Sequence, residues 1–110
     1  MKTDRLEQLL QFLTENPKDS FLKYAIAMEY AKKSDNEKAL QYYQDLVQND
    51  PEYVGTYYHL GKLYEQLEQF DNAFTTYEQG KKIAKSIGNR HALNELMGAE
   101  NMLRDELEED

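Results

Sequence analysis

The chain has 110 residues, 40% hydrophobic and 31% charged, with nine tyrosines and four phenylalanines, a composition that suits one folded domain and excludes a disordered chain. It has no cysteine, which excludes a disulfide framework, a thiolate metal site and a cysteine nucleophile. Its net charge of −8 opposes phosphate backbones and anionic lipid surfaces, so neither nucleic acid nor membrane is the expected partner. Solubility alone also accounts for that acidity. Met1-Lys2-Thr3-Asp4-Arg5 carries no apolar leader core and no apolar run approaches membrane-spanning length, so a soluble, cytoplasmic protein is expected.

The apolar spacing is helical almost throughout, with no strand-like alternation. A first helix is predicted from about Asp4 to Glu15, where Leu6, Leu9, Leu10 and Leu13 recur at i, i+3, i+4 and i+7 with Phe12 beside them. Asn16-Pro17 ends it, because the residue before a proline is pushed out of the helical region. A second helix is predicted from about Asp19 to Lys33, capped by Asp19 or Ser20, with Phe21, Leu22, Ala25, Ile26, Met28 and Tyr30 as its apolar set. Ser34 and Glu37 have the spacing of a capping box for a third helix, which carries Ala39, Leu40, Tyr43, Leu46 and Val47 and ends near Asn49.

Asp50-Pro51 reads as a cap and first-turn proline for a fourth helix, about Glu52 to Leu67, with Tyr57, Leu60, Leu63 and Tyr64 inward. The fifth is predicted from about Phe70 to Ser86, with Ala73, Phe74, Tyr77 and Ile83. Gly88-Asn89 is a stop and a restart, since glycine accepts the left-handed end conformation and asparagine caps the next helix. The last helix spans about Arg90 to Leu107, with Leu93, Leu96, Met97 and Leu103 along one side, and leaves Glu108-Glu109-Asp110 as a frayed end. Links this short make neighbouring helices antiparallel.

Two stretches say the same thing 34 residues apart. Pro17 recurs as Pro51, Tyr24 as Tyr58, Ile26-Ala27 as Leu60-Gly61, Tyr30 as Tyr64, Ala39 as Ala73 and Tyr43 as Tyr77. A period of this length marks a repeat architecture, in which each unit buries its apolar face against its neighbours. Small residues (Ala27, Gly61, Ala39, Ala73) suit places where helix backbones approach closely, and large ones (Tyr30, Tyr64, Tyr43, Tyr77) fill the space opposite.

The stretch Tyr57-Tyr58-His59-Leu60-Gly61-Lys62-Leu63-Tyr64, with Ala73 and Tyr77 after it, resembles the tetratricopeptide repeat family. The first unit is similar through Ile26-Ala27, Tyr30, Ala39, Tyr43 and Asp50-Pro51, with Lys23 in the slot that Tyr57 fills. The resemblance implies an all-α fold, an α-α superhelix built as a right-handed stack of antiparallel helix pairs. The implied layout is one domain over 1–110: an N-terminal half-repeat helix at 1–17, repeats at 20–53 and 54–87, and a capping helix at 88–110. Beyond the second unit the period breaks, because Asn94-Glu95 cannot fill the small-residue slot; a three-residue insertion would bring Met97-Gly98 there instead. Gly80 and Lys85 also depart from the family pattern, which expects a larger apolar residue and a proline.

In this family the first helices of successive units line a concave face. The positions that resemblance assigns to partner binding are Phe21, Tyr24, Met28 and Lys32, then Tyr58, Lys62 and Gln66, with Tyr24 and Tyr58 side by side. Tyrosine supplies contact area at low ordering cost, and methionine adapts to its partner. The bland reading of the same tyrosines is core padding. The lysine and asparagine clamp by which some relatives hold a carboxylate terminus is absent, since Tyr24 and Met28 occupy its first slots.

Lys81, Lys82, Lys85, Arg90 and His91 form the one basic concentration, either a face for an acidic partner or a solvated helix end. The acidic run Asp105, Glu106, Glu108, Glu109 and Asp110 is a solubilising tail or lies against those lysines. His91 and Glu95 stand four apart, but two ligands make no metal site. No carboxylate pair, phosphate-binding glycine loop or nucleophile motif marks a reaction centre, so neither a catalytic residue, a metal nor a cofactor is expected. The sequence points to an adapter or scaffold that holds a peptide or helix of another protein in its concave groove. The alternative is a self-assembly unit, a homodimer through apolar surface on the end helices.

Overall fold

The computed structural model describes residues 4–109; Met1, Lys2 and Thr3, and Asp110 at the end of the acidic run, lie outside the described residues. Six helices occur in chain order: α1 (Arg5–Glu15), α2 (Ser20–Lys32), α3 (Asn36–Asn49), α4 (Gly55–Gln66), α5 (Phe70–Ser86) and α6 (Arg90–Glu108). The described residues contain no strand, and the architecture is an all-α helical repeat. The chain forms two compact units, residues 1–53 and 54–110.

In the first unit α2 packs against both α1 and α3. Leu6 and Leu9 from α1 join Leu22, Ala25 and Ile26 from α2 in one buried cluster, flanked by Leu10, Leu13, Tyr30 and Tyr42. Phe12, on the same helix as Leu6 and Leu9, stays exposed. In the second unit α4, α5 and α6 all pack against one another. Its core is Tyr57, Leu60 and Leu63, Ala73, Tyr77 and Ala84, and Ala92, Leu96, Ala99 and Leu103.

The small and large slots work as a pair. A Cβ on Gly61 would stand 2.2 Å from the Tyr77 ring, so the ring occupies the space of the missing side chain. Gly80 does the same for Tyr57, whose own Cβ would lie 2.5 Å from an added one. Gly80 is therefore the counterpart of a large aromatic residue at position 57. Thirty-four residues earlier, the equivalent positions carry Lys23 and Leu46. The Lys23 stem lies in the fold with only 13% of its side chain exposed, and its ammonium meets Asp45 at 3.2 Å.

Three helix ends share one device. Asp35 N–H donates to the Tyr30 carbonyl, Gln69 N–H to Tyr64 and Asn89 N–H to Ala84, each at 2.9 Å, closing Schellman turns. The left-handed residue in each is Ser34 (φ +63°), Glu68 (φ +59°) or Gly88 (φ +73°). Ser34 is thus the end of α2, and the predicted Ser34–Glu37 capping box does not form. Asp35 caps α3 instead, its carboxylate accepting from Lys38 N–H at 3.3 Å. The α4 helix starts at Gly55 rather than near Glu52, because Pro51 and Glu52 sit in a turn closed by Tyr53 N–H donating to the Asp50 carbonyl at 3.0 Å.

On the last helix Leu96 and Leu103 are buried as expected, and only the placement of Met97-Gly98 is corrected. Met97 is 43% exposed, and a Cβ on Gly98 would meet nothing within 4 Å, so Met97-Gly98 does not occupy the small-residue slot. Ala92, Leu96, Ala99 and Leu103 form the buried stripe, and a Leu96 methyl is among the nearest neighbours of Gly80. Leu96 and Leu103 belong to the expected stripe and the observed one alike; Ala92 and Ala99, rather than Met97, complete it.

Candidate functional site

The α2 helix is apolar on more than its buried side. Leu22, Ala25, Ile26 and Ala27 face the core, while Phe21 is 57% exposed and Met28 39% exposed. Between them Tyr24 is half-buried, its ring 5.5 Å from that of Tyr53. Tyr24 also acts on the buried Tyr43 hydroxyl, whose ionisation burial pushes well above the usual phenol range. Lys32, at the end of the row, is exposed with its ammonium 3.6 Å from Glu29. An amphipathic helix in a small domain normally leaves its outer face polar. Here Phe21, Tyr24 and Met28 make an apolar strip along the outer face.

The equivalent row on α4 is more polar. Tyr58 is half-buried, with His59 against its edge at 5.3 Å and the Lys62 ammonium 5.7 Å above its ring. Lys62 also lies 3.7 Å from Glu65, whose carboxylate accepts a hydrogen bond from the Tyr77 hydroxyl. Burial first, and then that carboxylate, push the Tyr77 phenol far above its ordinary range. Gln66 ends the row, exposed. Burial lowers the His59 imidazole below its usual value, while the carboxylate of Glu95 on α6 opposes the shift. Each row thus holds a tyrosine beside a neighbouring ring and a lysine farther along the helix, and the α4 row adds Gln66.

A third feature sits on α5 and α6. Glu100, buried in α6, accepts from Lys81 at 2.7 Å, and Lys81 also meets Glu78 at 3.0 Å. These two carboxylates raise the Lys81 ammonium above its usual value. Lys81 is therefore bound within the fold, and the partner it takes is Glu100 rather than the acidic run near the C-terminus. Nothing local signals this, since the two residues are nineteen positions apart. Among the described residues no group of three or more histidine, aspartate or glutamate side chains could hold a metal ion. Among them, too, no helix is long and apolar enough to cross a membrane.

Tetratricopeptide repeat models match residues 19–53 and residues 54–87, which together cover more than half of the chain. The chain belongs to the tetratricopeptide repeat family. It is similar to a tetratricopeptide repeat domain protein from Salinibacter ruber. The crystal structure of that protein is 44% identical, with a TM-score of 0.75, over 80% of this chain and 98% of that one. Its solution structure is 45% identical with a TM-score of 0.78, covering 86% of this chain and 94% of that one. A solution structure of a Bordetella parapertussis protein shares the fold at 23% identity, with a TM-score of 0.83 over 96% of this chain and 91% of that one. No curated protein matches the sequence significantly.

Tetratricopeptide repeats are in general protein-interaction modules, and non-enzymatic ones. Within the two matched repeats, α2 and α4 are the first helices, and the seven residues expected to bind a partner lie on them: Phe21, Tyr24, Met28 and Lys32 on α2, and Tyr58, Lys62 and Gln66 on α4.

Proposed function

We propose that this tetratricopeptide repeat protein is an adapter that holds an extended or helical segment of another protein against the first helices of its repeats. Phe21 and Met28 supply exposed apolar contact on α2, and Tyr24 and Tyr58 give each row a ring held in place before binding. Lys32, Lys62 and Gln66 add polar selection at the far ends. Rings fixed by Tyr53 and His59 lose little freedom when a partner arrives, which favours affinity. The observation that carries this reading is the exposed apolar strip of Phe21 and Met28 on a helix whose opposite side is already buried.

The test is capture from lysate by the immobilised protein, with mass spectrometry of the retained proteins. Because Tyr24 also packs on Tyr53, the informative variant is Phe21→Ala with Met28→Ala, which removes exposed atoms and leaves the fold. A specific partner lost from the double variant and kept by the Phe12→Ala control supports the reading. Undiminished capture by the double variant contradicts it.

A self-assembly unit is the second reading. It is favoured by Met97, Met102 and Leu107, all exposed on α6. Light scattering separates the two: a concentration-dependent dimer that Met97→Lys and Met102→Lys abolish supports assembly, and a monomer at every concentration excludes it.

A further inference from the structure

A cleft of about 700 Å³ lies along α5 and α6, lined by Phe74, Thr75, Glu78, Gln79, Lys82, Glu100 and Arg104, and it shares no residue with the α2 and α4 rows. Its apolar surface is the half-buried Phe74 ring, with the Arg104 guanidinium 5.9 Å above it. The carboxylates in the cleft already have partners, because the single ammonium of Lys81 lies within 3.0 Å of both Glu78 and Glu100. Arg104 is only loosely engaged. It stands 3.8 Å from Glu100 and donates once, at 2.9 Å, to Asn101, so among the described residues most of its five donors remain free. Lys82 is exposed and acts on Glu78 through its field, without an ion pair among the described residues.

Two cations, Lys82 and Arg104, line the cleft with two carboxylates, and Lys81 beside it pairs with both carboxylates, so the charge left over is positive in a chain whose net charge is −8. The local sign is the reverse of the global one, and the two cations with spare capacity flank an aromatic ring. We propose that this cleft is a second docking site, for a short acidic segment of a partner protein that rests an apolar side chain on Phe74 and places a carboxylate between Lys82 and Arg104. The guanidinium fork is matched to a carboxylate, and the ring supplies the area that a lone ion pair lacks. A nucleic-acid strand fits less well, because its run of phosphates would extend past the two cations onto an acidic surface.

The site is tested by amide chemical-shift titration of the full chain with two probes, acetyl-Glu-Phe-Asp-Glu-amide and acetyl-Lys-Phe-Lys-Lys-amide. Shifts at residues 74–82 and 100–104 with the acidic probe alone are expected. Binding should weaken roughly tenfold in Arg104→Gln, the scale of one charge-assisted contact. Lys82→Gln, at an exposed position with no ion pair to lose, should weaken it without touching the fold. Added salt should weaken it as well. An equal response to the lysine probe, an unchanged affinity in Lys82→Gln, or no shift in the cleft at millimolar peptide would overturn the proposal. So would tighter binding of a single-stranded oligonucleotide than of the acidic peptide. Shifts confined to α2 and α4 would also overturn it while leaving the first-helix reading intact.

Discussion

Glycine at 61 and glycine at 98 are chemically identical and physically opposite. Both lie inside helices, where alanine is ordinarily better by about 1 kcal/mol. At Gly61 the added methyl would stand 2.2 Å from a buried ring, and such overpacking costs about 1–3 kcal/mol. At Gly98 it would meet nothing within 4 Å. Gly61→Ala is therefore expected to destabilise the protein by roughly 1–2 kcal/mol, and Gly98→Ala to stabilise it by up to about 1 kcal/mol. Denaturant unfolding of the two variants checks this, and stabilisation by Gly61→Ala would contradict it. The same logic explains which residue-level departures were legible. Lys23 and Gly80 stand out in the sequence as breaks in a pattern. Their compensation does not, because it depends on Asp45 and Tyr57 meeting them in space.

The buried phenols set a pH limit. Tyr43 and Tyr77 have folded-state ionisations raised above the ordinary phenol value of 10.0, by burial in both and by the Glu65 carboxylate at Tyr77. The folded state keeps protons that the unfolded chain releases. Their contribution to stability is thus full below pH 10 and is lost as pH rises above it toward the folded-state values. Ultraviolet titration should find these two phenols ionising together with unfolding, after the half-buried ones, and Tyr77→Phe should remove one of them. Ionisation of every tyrosine in a still-folded chain would contradict the assignment.

At the scale of elements, helix existence and type were readable because the apolar period is 3.6 and the turn residues are strong. The ends were less so. Serine and aspartate at 34 and 35 can each cap a helix, and their types do not decide between them. The backbone does: Ser34 takes the left-handed conformation that closes α2, and so only Asp35 is placed to accept from Lys38 N–H. Asp35→Ala is expected to lose about 1 kcal/mol, whereas Ser34→Gly should be neutral or stabilising by a few tenths, because glycine carries no penalty there. Thermal unfolding of the pair distinguishes them, and a larger loss in Ser34→Gly would restore the capping box. The stripe on α6 was legible at Leu96 and Leu103 but not at Ala92 and Ala99, because alanine carries little apolar signal and the partner of Leu96 is Gly80, in another helix.

For the molecule as a whole, the 34-residue period was enough to reach the family, because six slots recur in register. The α2 and α4 rows were found from that register together with the family resemblance. Their anchoring by Tyr53 and His59 was not, since Tyr53 lies in a turn and ring contacts leave no periodic trace. The α5–α6 cleft was not read from the sequence: only Lys82 of its lining belongs to the basic concentration noted there, and Glu100 and Arg104 reach it from another helix. Binding, in this account, depends on exposed rings and thioethers that the fold has already positioned. The most direct measurement is amide hydrogen exchange of the full chain with and without the captured partner. Slowed exchange and altered side-chain signals at Phe21, Tyr24, Met28, Tyr58 and Lys62 are predicted. Protection confined to α1, α3 or the outer face of α6, with α2 and α4 unchanged, would contradict the account.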